Sequence, residues 1–168
     1  MAKLTLKKAA TDVTVYLFAQ ASNVTTGAGL TGLAYNTASL TAYYVRPLGS
    51  AAAITLATQT VTGAHSDGGF VEVDATNMPG VYRLDLPDAV CATGVPSVVV
   101  MLKGAANMAP VLLEIQLTDF DLNDGSPNVT VNDMANDAIT AAALKADAVT
   151  KIQNGLALEA TLTAIKGA

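Results

Sequence analysis

The chain has 168 residues, of which 51% are hydrophobic and 14% charged, and its net charge is −5. That balance excludes a disordered chain, which needs low hydrophobicity and high charge. Its nine Lys and Arg residues are scattered, with only Lys7 and Lys8 adjacent, which argues against the basic stripe of a nucleic-acid binder.

Further bounds follow from particular residue types. Much of the hydrophobic share is Ala, aromatics are 5%, and Trp is absent. The expected core is therefore thin for the length, a condition that binding a partner subunit relieves. The apolar run Val95 to Leu102 is broken by Pro96 and is too short to span a bilayer. No apolar stretch follows Lys3, Lys7 and Lys8, so no signal peptide is expected. The single cysteine, Cys91, excludes an internal disulfide and a Cys-based zinc site, and reads as a small buried hydrophobe.

Residues 1–12 read as a lead-in. From residue 13 to 118 the pattern is one of short strands between turns. Val13, Val15, Leu17 and Ala19 alternate with Thr14, Tyr16, Phe18 and Gln20, and period two marks a strand. A glycine-rich turn region follows, from Ser22 to Gly32. In Ser39 to Arg46, Leu40, Ala42 and Tyr44 share one face, and Pro47 and Gly49 end the strand. Ala53 to Thr62 alternates again, and Phe70 to Asp74 forms a short strand after a loop over 63–69. Pro79-Gly80 reads as a turn. After it, Val81, Arg83 and Asp85 alternate with Tyr82, Leu84 and Leu86. Ser97 to Lys103 is a continuous apolar run, as expected of a strand covered on both faces. Val111 to Leu117 places Leu113, Ile115 and Leu117 on one face. About seven or eight short strands with regular turns predict an immunoglobulin-like antiparallel β-sandwich, with a barrel as the alternative.

The composition changes at Thr118. Residues 119–129 read as an acidic linker. Residues 130–168 are Ala-rich and free of Pro, and predict a short α-helical C-terminal tail. Asp137-Ala138-Ile139-Thr140 nearly repeats as Asp147-Ala148-Val149-Thr150, and Leu144 and Leu156 follow. Val149, Ile152 and Leu156 form a narrow apolar seam. Asn154-Gly155 reads as a helix stop, and Leu158, Leu162 and Ile165 form a second seam. Such short helices are marginal alone, so these six residues are the candidate oligomerisation contacts, expected to pack on the sandwich or on sister subunits.

Residues able to carry chemistry are sparse. His65 is alone in a loop and has no second ligand to complete a metal site. Asp119, Asp121, Asn123 and Asp124 partly match a calcium loop, but Gly125 comes one place late and no closing Glu follows. Glu72, Asp74 and Asp85 could be imagined as an acid pair, though strand carboxylates commonly face solvent. Gly27-Ala28-Gly29-Leu30-Thr31-Gly32 has its third glycine misplaced for a dinucleotide fingerprint and is followed by strand signals. The expectation is no catalytic residue, no metal and no cofactor.

The stretch from Val13 to Asp124 resembles a sandwich domain of tailed-phage structural proteins. The residues that carry the resemblance are Val13-Thr14-Val15-Tyr16-Leu17-Phe18, Leu40-Thr41-Ala42-Tyr43-Tyr44-Val45-Arg46, and Gly69-Phe70-Val71-Glu72-Val73-Asp74 running into Pro79-Gly80-Val81-Tyr82-Arg83-Leu84. The stretch Asp147 to Leu156 is similar to helical connectors in phage fibre proteins. The resemblance implies a non-enzymatic virion component, a tail or neck fibre or adaptor, commonly trimeric, made in the host cytoplasm and bound to other virion proteins. A capsid decoration protein is the alternative within that class. A carbohydrate- or receptor-binding module using Tyr35, Tyr43, Tyr44 or Tyr82 is the alternative outside it.

Overall fold

The computed structural model describes residues 2–120 and 146–166. The chain divides into two compact units, Met1–Pro127 and Asn128–Ala168. The first is mainly β. Its strands are β1 (Ala2–Lys7), β2 (Thr14–Phe18), β3 (Thr41–Val45), β4 (Ala52–Ile54), β5 (Ala57–Thr58), β6 (Gly69–Asp74), β7 (Met78–Asp85), β8 (Ser97–Lys103) and β9 (Val111–Thr118), with a short 3-10 turn at Asp88–Val90. They form two sheets, one in the order β1-β9-β8-β3-β4 and the other β2-β7-β6-β5.

The alternation visible in the sequence decides which faces meet. Val15 and Leu17 of β2, Phe70 of β6, and Tyr82 and Leu84 of β7 are buried, as are Ala42, Val98, Val100, Leu102, Leu113, Ile115 and Leu117 from the other sheet. All belong to one apolar cluster. Full burial of each larger aliphatic side chain contributes about 1.5–3 kcal/mol. The two buried rings, Phe70 and Tyr82, stack with centroids 5.0 Å apart and planes within 7°. The Tyr82 hydroxyl donates to the Leu30 carbonyl at 2.7 Å and accepts from the Leu33 amide at 3.1 Å. Those bonds tie the 19–40 connection to β7.

Several expectations need correction. The segment read as a lead-in contains β1. Leu4 and Leu6 pack against the core between Lys3, Thr5 and Lys7, and β1 pairs with β9 in parallel. The β5–β6 pair is also parallel, so the sandwich is not wholly antiparallel. Both parallel pairs follow from the chain's changing sheets, at 8–13 and at 55–56. That second change splits the 53–62 stretch into β4 and β5, which lie in different sheets. In Ser97–Lys103 only Val98, Val100 and Leu102 are buried; the opposite face is partly open.

Pro79-Gly80 lies inside β7 rather than in a turn. The turn comes earlier, where the Asp74 carboxylate accepts from the Thr76 amide at 2.8 Å, the Asn77 amide at 2.9 Å and the Asn77 side chain at 2.8 Å. Hydrogen bonds from the Asn77 side chain, then from the Asn77 and Thr76 amides, hold the Asp74 carboxyl below its usual value. Gly80 serves a different purpose. Its φ is +82°, and a Cβ there would lie 2.5 Å from Gly29 Cα. Two backbones cross at this point with no space for a side chain.

Among the described residues the second unit contains one helix, α1 (Ala146–Lys166). It runs through Asn154-Gly155, where a stop was expected. A helical glycine costs about 1 kcal/mol relative to Ala, too little to end a helix rich in Ala and Leu. Residues 121–145, including Asp121, Asn123, Asp124, Gly125, the Asp137 to Thr140 repeat and Leu144, lie outside the described residues.

Gly80→Ala is expected to destabilise the sandwich by about 2 kcal/mol or more, since it adds both a positive-φ penalty and a backbone clash. Urea denaturation followed by tyrosine fluorescence checks this.

Candidate interaction surfaces

The residues best suited to chemistry are held inside the fold. Arg83 and Asp85 alternate on β7, on the face opposite Tyr82 and Leu84, and both are buried. They form a two-pronged pair, Nε to Oδ1 at 2.9 Å and Nη2 to Oδ2 at 2.9 Å. Asp85 also accepts from Thr14 Oγ1 at 2.7 Å, Gln59 Nε2 at 2.7 Å and the Ser66 amide at 3.1 Å. Arg83 Nη1 donates to the carbonyls of Thr60, Val61 and Gly63 at 3.1, 3.0 and 2.8 Å. Asp85 therefore faces a guanidinium and a packed loop, not solvent as a strand carboxylate commonly does. Burial pushes its carboxyl up, but Arg83, Thr14, Gln59 and the Ser66 amide together outweigh that and hold it at about 2.

The imagined acid pair does not assemble. The pairs Val71↔Arg83 and Glu72↔Tyr82 put Glu72 on the face opposite Asp85. Glu72 Oε2 accepts from the Gly32 amide at 2.8 Å, and Asp74 caps its turn. Burial raises the Tyr82 hydroxyl to about 12, despite the Leu33 amide, and the Glu72 charge adds to the rise.

His65 is not the exposed loop residue expected. Its side chain is largely covered, and Nδ1 lies 3.3 Å from Asp12 Oδ1. Its Nε2 is buried without a hydrogen-bond partner among the described residues. Cys91 is buried as expected; burial, then the Asp88 charge, pushes its thiol up, the wrong direction for a nucleophile. Asp119 of the calcium-like cluster is bound by Lys8 Nζ at 2.9 and 3.0 Å. Among the described residues no three His, Cys, Asp or Glu side chains converge as a metal site.

Several cations are also engaged. Lys3 pairs with Glu114 at 3.1 Å, and Arg46 donates to the carbonyls of Ala89, at 3.0 Å, and of Thr93. Among the described residues no helix is long and apolar enough to cross a membrane.

What the surface does offer is exposed apolar area. On α1, Ile152, Leu162 and Ile165 are 54%, 49% and 69% exposed. Val149, Leu156 and Leu158 share the helix, but their side chains lie outside the described residues. At 100° per residue, one continuous helix sets positions 149, 152 and 156 roughly 150° around the axis from 158, 162 and 165. The two seams therefore belong to different sides of one rod.

On the sandwich, Tyr16 and Phe18 of β2 are 62% and 50% exposed. They line a cleft of about 320 Å³ with Ala2, Pro110 and Leu112. Sequence reading assigned them to a strand without marking them as surface aromatics. The signal was present: they alternate with residues that had to face inward. Of the tyrosines considered for sugar binding, Tyr82 is core, Tyr35 and Tyr43 share a shallow depression of about 150 Å³, and Tyr44 lies on the other face of β3. Leu48 protrudes fully at the β3–β4 turn with φ +61°, a conformation more commonly given to Gly.

Comparison with protein-family models and with curated proteins gives no match.

Asp85→Asn is expected to cost about 3 kcal/mol or more at neutral pH, because it strands a buried guanidinium. The folded carboxyl sits below its unfolded value of about 3.9. Its stabilisation is therefore complete above roughly pH 4 and is lost as pH falls toward 2. Denaturant midpoints across that range should drop steeply for the parent chain and more gently for Asp85→Asn.

Proposed function

We propose that this chain is a non-enzymatic structural component of a tailed-phage virion, an immunoglobulin-like module that self-associates through its C-terminal helix as a tail or neck fibre or adaptor. The observation that carries the self-association is the helix itself. Three large aliphatic side chains, Ile152, Leu162 and Ile165, stand about half-exposed or more on two sides of a helix of 21 residues. A helix gains most of its stability from burying its apolar side chains against other elements, and sister copies supply that burial. The resemblance of the Asp147 to Leu156 stretch to fibre connectors favours three copies.

Two observations support the module type. Two packed sheets in the orders β1-β9-β8-β3-β4 and β2-β7-β6-β5 support an immunoglobulin-like reading, from which the parallel β5–β6 pair departs. The polar groups expected of a catalyst are instead used within the sandwich: Arg83 and Asp85 on each other, Asp74 on its turn, Glu72 on Gly32. Placement on a fibre or on the capsid shell is decided by imaging labelled particles.

In sedimentation equilibrium the full chain is expected to have the mass of a multiple of three copies. Replacing Ile152, Leu162 and Ile165 together with Ser should lower that mass threefold and leave the tyrosine-monitored unfolding of the sandwich unchanged. An unchanged mass would contradict the helix as the associating element.

A further inference from the structure

β2 is an outer strand of its sheet, and its bonds to β7 settle which backbone groups are free. The Ala19 amide donates to Gly80 and the Leu86 amide to Val13. With Val15 opposite Leu84 and Leu17 opposite Tyr82, the odd-numbered residues are the ones bonded to β7. Thr14, Tyr16 and Phe18 therefore point their N–H and C=O groups away from the sheet. Beyond Phe18 the same side is taken: the Gln20 carbonyl accepts from Ala109, and the Ser22 amide donates to Asn107. Beside Tyr16 and Phe18 lies the 320 Å³ cleft, and among the described residues no strand pairs with β2 on that side.

Apart from its shortness, this edge carries neither of the sequence devices, charge or proline, that blunt an edge. The sequence Thr14-Val15-Tyr16-Leu17-Phe18 has no charge and no proline, whereas the neighbouring edge strand β1 carries Lys3 and Lys7. A short, uncharged strand of high β-propensity with open amides is a template for another strand.

We propose that β2 pairs antiparallel with β2 of a second copy, about a two-fold axis at Tyr16. Outward-facing residues must meet outward-facing residues, which restricts the centre. Centred on Tyr16, Thr14 meets Phe18 of the second copy, Tyr16 meets Tyr16, and Phe18 meets Thr14, so every free amide is used. Centring on Val15 would place Phe18 opposite Asp12, whose φ of +53° is not that of a strand. Centring on Leu17 would require Gln20, whose carbonyl is already bonded. The Tyr16 register joins two four-stranded sheets into one and brings the exposed aromatics of both copies together on one face, a favourable cross-strand arrangement.

This contact is separate from the helix, and its test is independent of it. In the full chain carrying the Ile152, Leu162 and Ile165 to Ser changes, sedimentation should show dimers in equilibrium with the 17.0 kDa monomer. Adding Tyr16→Lys sets two like charges opposite each other and should weaken the dimer about 100-fold or more. A second variant removes dependence on that bulky change. Facing Cα atoms in a hydrogen-bonded pair lie about 5.5 Å apart, within disulfide reach. Tyr16→Cys should therefore cross-link to itself on mild oxidation with diamide. Phe18→Cys should not, since its twin lies four residues along, roughly 13 Å away. A helix variant that stays monomeric at all concentrations, a dimer indifferent to Tyr16→Lys, or cross-linking through Phe18→Cys in preference to Tyr16→Cys would each overturn the proposal.

Discussion

The buried Arg83–Asp85 pair is the constraint on which much of the sandwich depends. Neither charge can be left alone in a low-dielectric interior, so each recruits every polar group in reach. Asp85 takes Thr14 from β2, Gln59 from the stretch after β5, and the Ser66 amide. Arg83 gathers three carbonyls of the 60–63 loop. One strand position thereby fixes a long loop without regular structure and anchors the start of β2. Thr14 is bound to Asp85 through its side chain and β2 is bonded to β7 through its odd residues, which leaves the amides of Tyr16 and Phe18 pointing away from the sheet. A polar network inside the fold defines an apolar edge outside it.

The parts of the fold governed by period-two burial were legible in the sequence. Val15 and Leu17, Leu40 and Ala42, and Leu113, Ile115 and Leu117 all face the core as their alternation requires. Four features were not legible. β1 is short and rich in Lys, and only its pairing with distant β9 makes it a strand. Pro79-Gly80 has turn chemistry, yet Gly80 is needed for the crossing with Gly29, and the turn is made instead by the Asp74 side chain. Arg83 and Asp85 look like solvent-facing residues because burial of a charge depends on partners far away in sequence. The helix contradicts its own stop signal at Gly155, where the cost of one glycine is smaller than the summed propensity around it.

The candidate surfaces were legible to different degrees. Ile152, Leu162 and Ile165 stood out because apolar seams on an Ala-rich tail need a partner to bury them. Tyr16 and Phe18 were visible as residues, but their exposure follows from β2 being an outer strand, which is topology. Among the described residues, Asp74, Arg83 and Asp85 are engaged in hydrogen bonds within the sandwich, whereas Tyr16, Phe18, Ile152, Leu162 and Ile165 stand outside. The two proposed contacts together would suffice for an extended or closed assembly, since a single isologous contact stops at a dimer.

Hydrogen exchange of the full chain at rising concentration tests the assembly directly, because it reads individual amides. If the chain assembles through these surfaces, the Tyr16 and Phe18 amides and those of α1 exchange quickly at low concentration and become protected as concentration rises, while the Val15 and Leu17 amides stay protected throughout. Exchange at Tyr16, Phe18 and α1 that is independent of concentration would contradict it.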